Sequence, residues 1–155
     1  MRCRKVFTPC WDISLILYAA DHHMTSATVI HFPRYLDPNG VLCVYESGQQ
    51  VPFDIRRIFT VSAMGGDTRG DHAHKKCSQL LVCVSGQIRV VCDDGLIVTH
   101  HLLDSMNCGL LVPPGVWAKE EYVTDGAVLM VLCDRNYEEG DYIRNYNDFK
   151  TFVGS

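Results

Sequence analysis

The stretch QLLVCVSGQIRVVCDDGLIVTHHL, residues 79–102, decides the fold. Three runs rich in Val, Leu and Ile, at 79–84, 87–92 and 96–102, are separated by Ser85-Gly86 and Asp94-Gly95. Both dipeptides tolerate the positive φ of a tight hairpin turn, so the runs predict successive antiparallel strands. Working outward, runs of the same kind lie at 41–46, 55–61, 72–76, 109–113, 117–123 and 127–133, and Asp125-Gly126 supplies a further turn. Regular short strands without helical periodicity predict an all-β sandwich or barrel. The charged tail RNYEEGDYIRNYNDF (135–149) then leaves the sheet as a short helix or capping loop, with Tyr142, Tyr146 and Phe149 as docking residues. There is no internal repeat or low-complexity segment.

A chain of 155 residues that is 47% apolar closes one hydrophobic core. A net charge of -4 excludes a nucleic-acid protein that tracks phosphates with a basic face, so an anionic ligand must be held by a few local cations. The eight cysteines form no CxxC pair, and Cys83 and Cys92 sit inside strand-patterned runs. Reduced thiols in a cytoplasmic protein are expected rather than a disulfide framework. At the N-terminus, Pro9, Trp11 and Asp12 interrupt the apolar character and the run ISLILYAA is short, so neither a signal peptide nor a membrane span is expected. Residues 1–23 precede a second methionine, Met24, and read as an extension: a helix, an added strand or the product of an upstream start codon. Residues 24–155 read as a single domain.

The chemistry concentrates in RGDHAHKKCSQ (69–79). Side chains alternate along a strand, so His72 and His74 share a face while Ala73 points the other way. Gln79 joins that face only through a bulge or bend, because the step from His74 is odd. The spacing from Gly66 through His72, His74 and Gln79 to Gly86 reproduces the first motif of the cupin superfamily, with Gln in place of the metal-binding Glu. In the second motif, PPGVWA (113–118), Ala118 stands where metal-binding members place a third histidine. Two imidazoles, an amide and a methyl group are a poor donor set for a first-row metal, so no metal is expected. Two imidazoles that titrate near neutrality suit proton transfer between neighbouring carbons or oxygens, and Arg69 and Lys75 can hold an oxyanion or a phosphate. An isolated HxH is more often a pair of satisfied polar strand residues. Here the full spacing and the flanking cations favour chemistry. For Trp117, stacking on a base or sugar and simple packing weigh equally, as do substrate contact and backbone satisfaction for Gln79. Arg89 is expected in solvent, and the adjacent His100 and His101 point to opposite faces. Tyr142 and Tyr146 read as packing residues.

The blocks RGDHAHKKCSQLLVCVSGQIRVVCDDG, GLLVPPGVW and AVLMVLCDRNYEEGDYIRNYNDF resemble, in order and spacing, the dTDP-sugar 3,4-ketoisomerases, the FdtA-like or WxcM-like C-terminal group of the cupin superfamily, over residues 35–152. The resemblance implies a jelly-roll β-barrel, a homodimer that exchanges N-terminal strands, and no cofactor. It implies metal-free interconversion of dTDP-4-keto-6-deoxyglucose and its 3-keto isomer, in the biosynthesis of unusual deoxysugars of lipopolysaccharide or other surface glycans. It places the proton transfers on His72 and His74, with His72 as the C3 base and His74 shuttling protons at the sugar oxygens, or the reverse. Arg144 matches the arginine of DYIR, and Arg69, Lys75, Gln79, Trp117 and Arg144 make up the expected substrate-binding set. The chain departs from the family pattern at Ala118, often His, and at Phe59 and Thr60, where tyrosines are common. Those departures keep a catalytically silent nucleotide-sugar-binding cupin open as an alternative; another cupin enzyme, a nucleotide-sugar epimerase or a metal-dependent dioxygenase, ranks last.

Overall fold

The computed structural model describes residues 26–154. The expected extension over residues 1–23 lies outside the described residues. The chain runs through β1 (Thr28–His31), β2 (Arg34–Asp37), β3 (Gly40–Cys43), β4 (Arg57–Ala63), β5 (Thr68–His74), β6 (Gln79–Ser85), β7 (Ile88–Asp93), β8 (Val98–Leu103), β9 (Cys108–Val112), β10 (Trp117–Tyr122) and β11 (Ala127–Cys133). A 3-10 turn (Glu139–Asp141), β12 (Tyr142–Ile143) and one helix, α1 (Tyr146–Val153), follow. Two five-stranded antiparallel sheets face each other, in the orders β1-β9-β6-β11-β4 and β12-β5-β10-β7-β8, and β2 and β3 form a separate hairpin. This is the all-β sandwich expected from the turn chemistry: Gly86, Gly95 and Gly126 all take positive φ between strands.

The core lies between the sheets, where Leu81, Ile88, Val90, Leu110, Tyr122 and Leu129 are buried. A second apolar layer, Phe32, Val51, Leu80, Val82, Leu111 and Leu132, fills the outer face of the first sheet, with Tyr45, Phe53 and Ile55 packed against it. That double burial explains why β6 is apolar at every position from Leu80 to Cys83 instead of alternating. On the outer face of the second sheet α1 docks through Phe149, which is fully buried with Ala73, Trp117 and Ile143. The Asn145 side chain caps the helix by accepting from the backbone N–H of Asn147 and Asp148.

Two local features position the site. β5 begins earlier than the sequence predicts and ends at His74, so the histidines terminate a strand. The odd step to Gln79 then needs no bulge, because the chain leaves the second sheet after His74 and enters the first at Gln79. The bulge lies instead before the histidines: the β5–β10 register slips between Ala118 and Lys119, with Gly70 and Asp71 both at positive φ. It lets Arg69 face Glu120 while His72 faces Ala118.

Candidate active site

His72 and His74 point between the sheets, with ring centroids 5.0 Å apart and planes at 78°. Tyr142, carried to β5 by its pairing with His74, places its ring 4.9 Å from His72 and 4.3 Å from His74. Behind His74 lies a buried carboxylate: His74 Nδ1 and Asp141 Oδ2 are 2.8 Å apart. Asp141 is itself held, its carboxylate accepting from the backbone N–H of Lys76 at 2.7 Å and Cys77 at 3.2 Å. With Nδ1 engaged, His74 Nε2 is left without a hydrogen-bond partner among the described residues, as is His72 Nδ1, and both atoms are buried. Buried polar atoms are rarely left unpaired in a protein built only for stability.

A third group comes from the facing sheet. Arg57 lies over the rings of Phe59, at 5.1 Å, and Tyr137, at 5.4 Å. Its Nη2 donates to Cys133 Sγ at 3.5 Å, and Gln79 Nε2 donates to the same sulfur at 3.8 Å. The neighbouring Cys77 thiol, together with these donors, holds the Cys133 thiol below its usual range, while the proximity of Cys133 and burial push Cys77 up.

Burial is the main reason both histidines titrate below their ordinary value. The hydrogen bond to Asp141 pulls His74 the other way, while the neighbouring His72 and Arg57 add to the depression. At neutral pH both imidazoles are therefore neutral and ready to accept a proton. Burial also opposes ionisation of Asp141, but His74 and the two backbone donors outweigh it and keep the carboxyl ionised below its usual range. Glu120, deep in the barrel beside Ala118, is pushed up to about 7 by burial, with Asp71 adding to the rise.

Of the residues expected from sequence, His72 and His74 meet as predicted, and Gln79 is buried at the start of β6 with its amide donating to Cys133. Arg144 reaches the site through an intermediary: its guanidinium lies 4.4 Å over the Tyr142 ring and pairs with Glu139 at 3.0 Å. Arg69 is turned to the inner face by the bulge and is exposed. Two residues lie away from the histidine pair. Trp117 belongs to the outer face, where it packs edge-on to Tyr146, touches Phe149 and donates through Nε1 to Asp71 at 3.2 Å. Lys75 follows the end of β5 and donates to the Gly140 carbonyl at 2.9 Å, bracing the turn that carries Asp141. Tyr142, read as packing, lies against both catalytic candidates. Phe59 faces inward against Arg57, whereas Thr60 is on the exposed face of β4.

Sequence reasoning missed Asp141, Arg57 and Cys133. Asp141 stands inside the DYIR block, from which only the arginine was drawn. Arg57 begins an inward alternation with Phe59, Val61 and Ala63, and a cation in an otherwise apolar inward series is a readable signal. The superfamily's metal does not fit. Ala118 is paired with His72 and presents only a methyl group, and Gln79 offers a neutral amide in place of a carboxylate, so one of the four donor positions supplies no ligand and another no charge.

The family profile FdtA, described as WxcM-like, C-terminal, matches residues 25–154. The TDP-4-oxo-6-deoxy-alpha-D-glucose-3,4-oxoisomerase of Aneurinibacillus thermoaerophilus is 41% identical over 126 residues, covering 81% of this chain and 91% of the relative. The sugar 3,4-ketoisomerase QdtA of Thermoanaerobacterium thermosaccharolyticum, solved with TDP, superposes with a TM-score of 0.80 at 32% identity, over 85% of this chain and 97% of that one. A histidine-to-asparagine variant of the same enzyme, solved with TDP-4-keto-6-deoxyglucose, gives a TM-score of 0.79 at 33% identity, over 82% of this chain and 93% of that one. With a jelly-roll sandwich, paired inward histidines and a match spanning every described residue, the chain belongs to the FdtA family of WxcM-like C-terminal domains.

Proposed function

We propose that this protein is a nucleotide-sugar 3,4-ketoisomerase acting on dTDP-4-keto-6-deoxyglucose by metal-free acid/base catalysis. The observation that carries the reading is the buried His74–Asp141 pair, which leaves His74 Nε2 unpaired beside His72. A carboxylate bound at Nδ1 fixes the tautomer with Nε2 as the basic nitrogen and stabilises the imidazolium formed when that nitrogen takes a proton. We therefore assign removal of the C3 proton to His74. The electron pair of the C3–H bond passes into an enediolate spanning C3 and C4. His72, on the same face, moves the O3 proton to O4, and the His74 imidazolium, after exchange with solvent, gives its proton to C4 to complete the 3-keto sugar and regenerate the neutral base. Arg57 and Arg144 place two cations around Tyr142, suited to the negative charge that grows on the sugar oxygens. Arg69, exposed on the same strand, is assigned to the pyrophosphate.

The dimer belongs to the same reading. The β2–β3 hairpin joins neither large sheet and exposes Leu36, Val41 and Leu42, apolar side chains suited to burial against a second copy that exchanges N-terminal strands. Free thiols at Cys43, Cys77, Cys83, Cys92, Cys108 and Cys133 suit the reducing cytoplasm, and none of the described helices is long and apolar enough to cross a membrane.

The test is incubation with dTDP-4-keto-6-deoxyglucose in deuterated water. Deuterium should enter the sugar ring and the 3-keto isomer should form. Tight binding of the nucleotide sugar by well-folded protein without exchange would identify a silent binding module instead.

A further inference from the structure

A set of metal-binding side chains that the cupin motif does not contain converges behind His74. Ligand atoms of His74, Cys77 and Asp141 all lie within 4.8 Å of one another, and all three residues are buried. Cys133, another buried sulfur at the end of β11, neighbours Cys77 and accepts from Arg57 and Gln79. These donors come from the end of β5, the turn after it, the 3-10 turn and the end of β11, four segments brought together only by the fold. We propose that His74, Cys77 and Asp141, with Cys133 as fourth donor, form an inhibitory site for a soft divalent metal of the zinc class.

Imidazole, thiolate and carboxylate are the ordinary ligands of zinc, and the sulfurs select against magnesium and calcium. In a tetrahedral site with bonds of about 2.0–2.3 Å, neighbouring ligand atoms stand roughly 3.3–3.8 Å apart. The ligand atoms of His74, Cys77 and Asp141, within 4.8 Å of one another, are therefore near the required spacing, and Cys133 must rotate toward them to complete the set. On binding, each coordinating thiol releases its proton to solvent, and no electron is transferred. The site differs from the one the superfamily uses: it shares only His74 and replaces the positions of His72, Gln79 and Ala118 with Cys77, Cys133 and Asp141. Inhibition follows because the metal takes the imidazole or the carboxylate that proton removal requires. That clause rests on the isomerase reading, whereas metal binding does not.

The full chain is titrated with cadmium, a spectroscopic substitute for zinc, while the ultraviolet thiolate-to-metal charge-transfer band is followed. Zinc stoichiometry is measured by competition with a chromophoric chelator. One metal per chain with a thiolate band is expected, the band being lost in Cys77→Ala and diminished in Cys133→Ala. Cys92→Ala, a core thiol outside the cluster, should leave it unchanged. Cys77→Ala keeps the backbone N–H that holds Asp141. Circular dichroism verifies its fold, and Cys77→Ser and Cys133→Ala carry the test if it unfolds. Zinc should stop deuterium exchange in the wild type and spare it in Cys77→Ala. No band at one equivalent, a band of full strength in the Cys77 and Cys133 variants, or binding without thiolate absorption, which would place the metal on His72 and His74, overturns the proposal. A wild type that binds cadmium with the band yet never exchanges deuterium defeats the isomerase reading alone.

Discussion

The two faces of one strand end, a single residue apart, have opposite fates. Outward from β5, Ala73 is sealed under α1, and the polar atoms around it are paired: Trp117 Nε1 with Asp71, the Tyr146 hydroxyl with Asp93, and Lys75 Nζ with the Gly140 carbonyl. Inward, His72 Nδ1, His74 Nε2 and Arg57 Nε are buried without partners among the described residues. The outer face holds the strand still, so the inner face can keep buried polar atoms unpaired. Stability and chemistry are thus assigned to alternate residues, and substitutions on the two faces should separate them.

The largest effect is expected from His74→Asn. Loss of a general base costs about 10²–10⁴-fold in rate, so exchange of the C3 proton should fall by that much while the melting temperature stays within a few degrees of wild type. Wild-type exchange in the variant would remove His74 from the chemistry. The matching experiment on the other face is Phe149→Ala. Emptying a fully buried aromatic costs about 3–5 kcal/mol, to be read from urea unfolding. The folded fraction should keep most of its turnover number. A collapse of turnover in folded Phe149→Ala protein, comparable to that of His74→Asn, would show that the faces are not separable.

The same division explains what was legible in the sequence. Strand identity followed from turn dipeptides and apolar runs because those are local signals, and the three glycine turns fall where expected. The short β1, β2 and β12 carry too few residues for a periodic pattern and were not predicted. At the site, His72 and His74 were legible because their spacing of two is itself the strand period. The Asp141 contact was not, since it spans 67 residues and depends on a loop folding back onto the end of β5. Trp117 shows the converse limit. It precedes the inward Ala118, so strand alternation alone places it outside, yet its nearness in sequence to a motif drew it into the expected ligand site. The β5 bulge also defeats simple counting, because Arg69 reaches the face of His72 only by the extra residue at Asp71.

The smallest and most discriminating effect concerns pH and Asp141. Both histidines have folded-state values below the ordinary one of about 6.5. Between the depressed value and about 6.5 the unfolded chain binds more protons than the folded chain, so stability rises with pH there. The histidine contribution is complete above that window and is lost as the pH falls through it. Exchange activity should therefore persist below pH ~6.5 and decline only where the depressed values are reached. Asp141 works against this depression, because its carboxylate favours the imidazolium of His74. Asp141→Asn should then move the acid limb of the turnover–pH profile to lower pH. It should also lower the plateau by less than the ~10²–10⁴ expected for loss of the base itself, since Nε2 remains but is held less firmly in the right tautomer. A residue that merely braced the loop would lower the plateau through partial unfolding and leave the limb where it was. An acid limb unmoved, or moved upward, in protein of wild-type circular dichroism would remove Asp141 from its positioning role and return the assignment of the C3 base to His72.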